Sequence, residues 1–346
     1  MAPRPPFAIG GHAVAPGARQ TVDLPVSVMS DHTPVTMSVH VVHGRRPGPR
    51  LFVSAAIHGD EVIGVEIARR LLRAPQLDDL RGTLLVVPIV NSFGFLNHDR
   101  YLPDRRDLNR SFPGAAHGSL ASRLAHLFME QVVRRSDFGI DLHSAAIHRT
   151  NLPQIRVSPS SDRTLELADT FGAPVTIVAK LREGSLRGAA QAEGVDILLL
   201  EAGEALRFDE LSGRVGLTGI LRVMHAMGMV PGRGIPRART QPVRATSSTW
   251  LRAPAGGLLR GFKTTGDDVA EGDLLGAISD PFGDVETDVR APVPGIVIGR
   301  RNMPVVNEGE ALFHIAVTHR ADLRDKIDAL TGQLEDHPMF DEDEII

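Results

Sequence analysis

His58 and Glu61 stand three residues apart at the end of an apolar run, Leu51-Phe52-Val53-Ser54-Ala55-Ala56-Ile57. An imidazole nitrogen and a carboxylate oxygen are both zinc donors, and a turn after a strand can bring two such groups around one ion. The spacing has a plainer reading as well: a histidine near a helix start, followed by an acidic residue in the first turn, where the helix dipole favours it. Two further apolar runs end in similar groups. Phe138-Gly139-Ile140-Asp141-Leu142 leads into His143, and Val195-Asp196-Ile197-Leu198-Leu199-Leu200 leads into Glu201. Alone, His143 could be a satisfied core histidine and Glu201 a helix cap. In open α/β sheets, however, ligand sites lie beyond the carboxyl ends of the strands, so groups far apart in sequence can meet in one crevice. One metal site accounts for all four residues at once.

These residues need strands to carry them and helices to cover the strands. The apolar run 51–57 follows the turn-rich Gly44-Arg45-Arg46-Pro47-Gly48-Pro49 and reads as a buried strand. A helical pattern follows at about 60–73, with Val62, Val65, Ile67, Ala68, Leu71 and Leu72 on one side. Leu84 to Val90 is another buried run, leading through a Pro- and Arg-rich loop to Gly114. Helices are expected at about 119–135 with Ser119 as cap, near 162–171, and at about 213–228. Val175 to Val178 adds a further short strand. Strands alternating with helices indicate an α/β domain, its sheet mainly parallel and covered on both faces. Before it, residues 1–44 form a β-rich segment in which Thr21–Val26 and Val35–Val42 alternate, so the sheet is expected to be mixed.

Composition narrows the function classes. With 42% hydrophobic and 23% charged residues, the chain has the balance of a globular protein. A formal net charge of −4 gives no reason to expect a nucleic-acid or anionic-membrane partner. No stretch approaches the roughly 20 apolar residues of a membrane span, and the first residues lack the apolar core of a signal peptide, so a cytoplasmic setting is expected. There is no cysteine, which excludes disulfides and thiol catalysis. Any metal must then be held by His, Asp and Glu, which favours a catalytic over a closed structural zinc site.

Beyond Pro231-Gly232-Arg233-Gly234 the pattern changes to short strands and glycine turns, and a repeat appears. Arg252-Ala253-Pro254-Ala255-Gly256-Gly257 is echoed by Arg290-Ala291-Pro292-Val293-Pro294-Gly295, and Val269-Ala270-Glu271-Gly272-Asp273 by Val306-Asn307-Glu308-Gly309-Glu310. One supersecondary unit is used twice. Residues 245–318 resemble the lipoyl/biotinyl barrel-sandwich fold, whose carrier lysine belongs on the hairpin between the halves. Here that hairpin is Asp280-Pro281-Phe282-Gly283-Asp284, without lysine, so packing or assembly is the expected role. Residues 319–346 read as a short helix and an acidic tail.

Four motifs, taken in order, resemble the succinylglutamate desuccinylase/aspartoacylase family, a branch of the zinc carboxypeptidase superfamily. They are His58-Gly59-Asp60-Glu61, Asp107-Leu108-Asn109-Arg110-Ser111-Phe112-Pro113-Gly114, Asp141-Leu142-His143-Ser144 and Glu201-Ala202-Gly203, and the likeness covers about residues 45 to 230. The resemblance implies a zinc-dependent hydrolase domain over 45–232 that binds one Zn2+ per chain through His58, Glu61 and His143. It implies Glu201 as general base and Asn109 with Arg110 as the pair that holds a substrate carboxylate. Arg100, and after it Arg106, is the candidate to polarise the scissile carbonyl or assist binding. The implied substrate is a small N-acyl amino acid, cleaved at its acyl amide. A carboxypeptidase-type activity on short peptides shares the same zinc set, and a non-catalytic binding or scaffold protein is the rival from a different class. Subunit contacts through the barrel would make a homo-oligomer. Asp141 is a candidate to orient a ligand histidine, and Glu204 either faces a cationic substrate or lies at the surface.

Overall fold

The computed structural model describes residues 4–158, 161–238 and 241–318; the helix and acidic tail expected over 319–346 lie outside the described residues. The site rests on the middle of a 13-stranded mixed sheet. At its centre, strands Asp196–Glu204, Phe138–Ala145, Arg46–Ala55 and Arg81–Val87 run parallel in that order. On one side the sheet continues antiparallel into Pro34–His43 and Arg19–Val28, the β-rich lead-in. On the other it continues antiparallel into Arg149–Val157.

Side-chain alternation explains how this sheet is covered on both faces. Leu51, Val53 and Ala55 point into a core with helices Ile63–Leu72, Asp162–Phe171 and Glu210–Ala226, supplied by Ile67, Leu71, Phe171, Leu217 and Ile220. Phe52 and Ile57 point into an opposite core with helices Leu120–Gln131 and Leu186–Ala192, where Phe128, Leu124 and Leu186 meet them. Ser119 caps the first of these two helices, its hydroxyl accepting from the Ser122 N–H. None of the described helices is long and apolar enough to cross a membrane.

The C-terminal repeat forms a β-sandwich. Strands Glu286–Arg290, Leu274–Ser279, Gly257–Gly261 and Val305–Val306 make a separate antiparallel sheet. It packs through Leu259, Leu275, Ile278 and Val289 onto Val297, Leu312, Phe313 and Ile315 of strands Gly295–Arg301 and Ala311–Val317. Those two strands, with Ser248–Arg252, extend the large sheet itself: Gly299 pairs with Asn151 and Arg300 with Thr150. Hydrogen bonding therefore runs without a break from the central strands into the C-terminal sandwich. Arg149–Val157, the strand that makes the join, is hidden in the sequence because Asn151, Pro153 and Gln154 interrupt any apolar alternation.

Candidate active site

Three adjacent parallel strands deliver the candidate residues to one edge of the sheet. Chain direction changes sharply after Arg46–Ala55: Ala56 takes a left-handed φ of 50°, an uncommon conformation for a residue with a Cβ. Gly59 then passes so close to the neighbouring helix Ser92–Asn97 that a Cβ would lie 2.0 Å from the Gly94 carbonyl carbon, so only glycine fits. This turn carries His58 and Glu61 inward, and both are buried, as is His143 at the end of the next strand.

Glu61 is the centre of the cluster. Its Oε1 lies 2.7 Å from His58 Nδ1 and its Oε2 lies 2.7 Å from His143 Nδ1. The Ser144 backbone N–H donates to the same Oε2 at 3.2 Å. Each imidazole is fixed through its other nitrogen by a second carboxylate. His143 Nε2 meets Asp141 Oδ2 at 2.7 Å, and His58 Nε2 meets Asp107 Oδ1 at 3.1 Å. Asp141 is in turn held by the Ser54 hydroxyl at 2.8 Å, while Asp107 Oδ1 also accepts the Asn109 N–H at 2.8 Å. A carboxylate behind each histidine sets ring orientation and raises ligand basicity, the arrangement usual around metal-ligating histidines.

Electrostatics agree with a cation site. Burial works against a charged imidazole at His58 and His143, but the surrounding carboxylates outweigh it and hold both pKa values above the ordinary value. Burial alone would raise the pKa of Glu61, yet the two imidazoles hold it well below the usual carboxylate range. Three carboxylates (Glu61, Asp107 and Asp141) thus enclose two imidazoles, with Arg100 as the cation at the rim. One ligand atom from each of His58, Glu61 and His143 lies within 4.8 Å of the others. That donor set, two nitrogens and one carboxylate, is of the three-ligand kind that suits catalytic zinc.

Arg100 reaches this cluster, with Nη1 3.3 Å from Glu61 Oε1 and Nη2 3.2 Å from Asp107 Oδ2. Arg106 does not. A tight turn in which the Arg106 N–H donates to Asp104 directs its side chain outward, 62% exposed, and it pairs loosely with Asp104 at 3.6 Å. In this structure Arg106 forms part of an exposed pair with Asp104. Asn109 is buried, with Oδ1 accepting the Leu186 N–H at 2.9 Å, which ties the loop to the start of helix Leu186–Ala192. Arg110 lies beside it, exposed, donating to the Asn109 carbonyl at 2.5 Å.

Glu201 lies next to His143 in register on the neighbouring parallel strand. Asn151 Nδ2 donates to its Oε2 at 3.1 Å, and Arg156 Nε stands 3.8 Å from its Oε1, too far for a hydrogen bond. Asn151 and Arg156 escaped the sequence reading, as did Arg187, a buried residue on helix Leu186–Ala192. Burial, then the like charge of Arg156, pushes the Arg187 pKa down to about 10, while Glu201 and Asp141 draw it the other way. Its Nη1 and the Arg156 Nε are buried without a hydrogen-bond partner among the described residues. Guanidinium N–H groups without a hydrogen bond, beside the carboxylate of Glu201, are ready donors for an anionic ligand. A single signal in the sequence could have found Arg187: a charged residue on the inner side of a short helix that otherwise reads Leu-Gly-Ala-Ala. Glu204 fits neither expectation. Its Oε1 accepts the His148 N–H and its Oε2 accepts Asn302 Nδ2, each at 2.9 Å, so it clasps the C-terminal sandwich to the loop beyond His143.

A parallel sheet with a His-Glu-His triad and a lone glutamate at its carboxyl edge defines a metal-dependent hydrolase class. The family model for the succinylglutamate desuccinylase/aspartoacylase catalytic domain matches residues 47–227, and the chain belongs to that family. It is a deacylase of this family, with His58, Glu61 and His143 as its metal site. The N-alpha-acetyl-L-2,4-diaminobutyric acid deacetylase of Halomonas elongata is 28% identical over 305 residues, spanning 85% of this chain and 89% of that protein. The product-bound ectoine utilization protein EutE (DoeB) of Ruegeria pomeroyi superposes with a TM-score of 0.78 at 23% identity, covering 87% of this chain and 95% of that one. A succinylglutamate desuccinylase/aspartoacylase from Rhodobacter sphaeroides gives a TM-score of 0.78 at 24% identity, over 87% of this chain and 96% of its own.

Proposed function

We propose that the protein is a zinc-dependent amidohydrolase, one Zn2+ per chain, that cleaves the acyl amide of a small N-acyl amino acid. What carries this reading is the convergence of two carboxylate-backed histidines on one shared carboxylate, with Glu201 on the adjacent strand. When bound, zinc supplies a Lewis acid for the acyl carbonyl and acidifies water at neutral pH. Glu201 takes the proton of the attacking water and returns one to the leaving amine, so that carboxylate and free amino acid separate. Asn151 holds one oxygen of Glu201 and leaves the other to face the reacting water. Arg100, at the rim of the triad, donates to the carbonyl oxygen as it becomes negative. Asn109 retains its amide N–H2, and with Arg110 and Arg187 it binds the substrate carboxylate, the planar guanidinium matching both oxygens.

The relative from Halomonas elongata makes N-acetylated diamino acids the first substrates to try. In this reading residues 45–232 form the catalytic unit and 245–318 the unit that walls it, acting in the cytoplasm and contributing contacts to a homo-oligomer, which size-exclusion chromatography tests. The activity is tested by loading the purified protein with zinc and assaying acetyl- and succinyl-amino acids against short peptides. Release of free amino acid at one metal per chain is the expected result. Peptide cleavage without deacylation would transfer the site to carboxypeptidase-type chemistry, and absence of both activities would sink the proposal.

A further inference from the structure

Strand Arg149–Val157 lies between the strand of Glu201 and the C-terminal sandwich, and it is irregular where it passes Glu201. Glu201 opposes Gln154, and Gly203, two residues on, opposes Asn151, so the partner strand carries one extra residue at Leu152-Pro153. Proline has no N–H to give to a ladder, and inside a sheet it belongs at such a bulge. Residues three apart on a regular strand face opposite sides. The extra residue turns Asn151 to the side of Glu201, where its Nδ2 donates to Oε2 at 3.1 Å.

Residues 298–302 of the sandwich grip that strand at three points. Gly299 pairs with Asn151, and a Cβ on Gly299 would lie 2.8 Å from Asn151 Oδ1, inside van der Waals contact. The same Cβ would stand 3.4 Å from the Thr150 carbonyl oxygen and from His314 Cβ. The bare backbone of Gly299 is therefore what gives the Asn151 carboxamide its place. His314 is fixed on the far side by its stack on Trp250, at 4.4 Å. Arg149, two residues before Asn151 and on the same face, sets its guanidinium 5.5 Å from the centre of the Trp250 ring. At Ile298 the sandwich strand has a bulge of its own, and the Ile298 carbonyl accepts from the buried Gln154 amide at 3.1 Å. Asn302 makes the third contact. Its N–H donates to the His148 carbonyl at 2.7 Å, and its Nδ2 to Glu204 at 2.9 Å, on the strand of Glu201.

We propose that residues 298–302 position the general base: Gly299 aims the Asn151 carboxamide at Glu201, and the sandwich thereby governs proton transfer rather than substrate binding. The inference rests on the reading of Glu201 as the base of a deacylase and deepens it. A general base works only within hydrogen-bond reach of the proton it takes. A shift of about 1 Å in its support costs on the order of 100-fold in rate. Asn151 offers Glu201 an amide donor, which fixes one oxygen without supplying or removing a proton. Gly299 acts through Asn151 and is a positioning residue.

The experiment compares the zinc-loaded native protein with Gly299→Ala, Asn151→Ala and the double variant, on the best substrate of the acetyl- and succinyl-amino acid panel. Gly299→Ala is expected to lower kcat about tenfold or more, with KM within about threefold of native and zinc content unchanged. Asn151→Ala is expected to lower kcat by a similar factor. In the double variant the loss is expected to stay within about threefold of the larger single loss, because both changes break one contact. Losses that multiply, native kcat in Gly299→Ala, or a loss confined to KM would overturn the proposal. Should Gly299→Ala not fold, Asn302→Ala decides in its place, since it removes only an exposed side chain and its bond to Glu204. There, kcat about threefold lower at unchanged KM supports the proposal, and native kcat overturns it. Urea unfolding reads the contact without turnover. Gly299→Ala is expected to lower the midpoint, and by less than about half as much where Asn151 is already alanine; equal shifts in both backgrounds would overturn the contact. If the native protein hydrolyses none of the panel while this coupling holds, the deacylase reading fails and the hold of Gly299 on Asn151 stands.

Discussion

His143 and His314 are equally buried in the same sheet, one at the catalytic edge and one in the C-terminal sandwich, yet they have opposite preferences for a proton. His143 lies between Asp141 and Glu61, and those carboxylates overcome burial to raise its pKa. His314 stacks on Trp250, bonds the Ser248 hydroxyl at 2.9 Å and faces Arg156; burial first and that charge second push its pKa down to about 3. Burial by itself therefore says little about what a histidine can do. The neighbouring charges favour a positive charge at one histidine and disfavour a proton on the other. The active site lies on the gradient between them, with Glu201 next to His143 on one side and Arg156 on the other.

The largest test of this division acts on Glu201. Glu201→Gln is expected to lower kcat about 100- to 10,000-fold, the range of a lost general base, with zinc content by metal analysis unchanged. Retained turnover would place the proton chemistry elsewhere. Next comes the carboxylate behind a ligand. Asp141→Asn is expected to weaken zinc binding about 10- to 100-fold in a competition titration, because the His143 ring loses its orienting partner. An unchanged affinity would mean that the strand alone positions that ring.

A smaller effect belongs to the opposite region. The folded protein takes up a proton at His314 only near pH 3, whereas the unfolded chain does so from about pH 6.5. Between those values the unfolded state binds more protons, so stability rises with pH through this window and falls on acidification, by at most about 1.4 kcal/mol per pH unit from one group. His314→Gln is expected to flatten that part of the stability profile, measured by urea unfolding across the window; an identical slope would show that His314 titrates normally. Smallest of all, Arg106→Ala is expected to change kcat/KM less than about twofold, since exposed ion pairs contribute little. A large loss would bring its loop into the site.

Much of the catalytic edge was legible in the sequence. His58, Glu61, His143 and Glu201 each follow an apolar run, and a donor at the end of a buried strand is a local signal. Helices were readable where they are long: Asp162–Phe171 and Leu120–Gln131 lie where their periodicity put them, whereas the short Ser92–Asn97 and Leu186–Ala192 offered too few turns for a stripe to show. Asp107 entered the sequence reading only as the first residue of a loop motif, since nothing local reveals that it faces His58 across 49 positions. Arg187 and Arg156 were illegible for a related reason. Arginines within a fold take their meaning from what surrounds them, and here that is an assembly of one helix and two strands.

The sequence alone determined the donor types, their place at strand ends and the absence of any thiol chemistry, because these depend on residue identity and short-range pattern. It determined the repeat in the C-terminal half for the same reason. Tertiary structure decided which carboxylate stands behind which imidazole, that Arg100 and not Arg106 reaches the cluster, and that Glu204 serves as a clasp. It also decided that the C-terminal sandwich is joined to the catalytic sheet through Gly299 and Asn151, which sets Trp250 and Arg149 on the same face as Glu201. Strand pairing and side-chain charge fields act between segments distant in the chain, and only the folded molecule brings those segments within reach of one another.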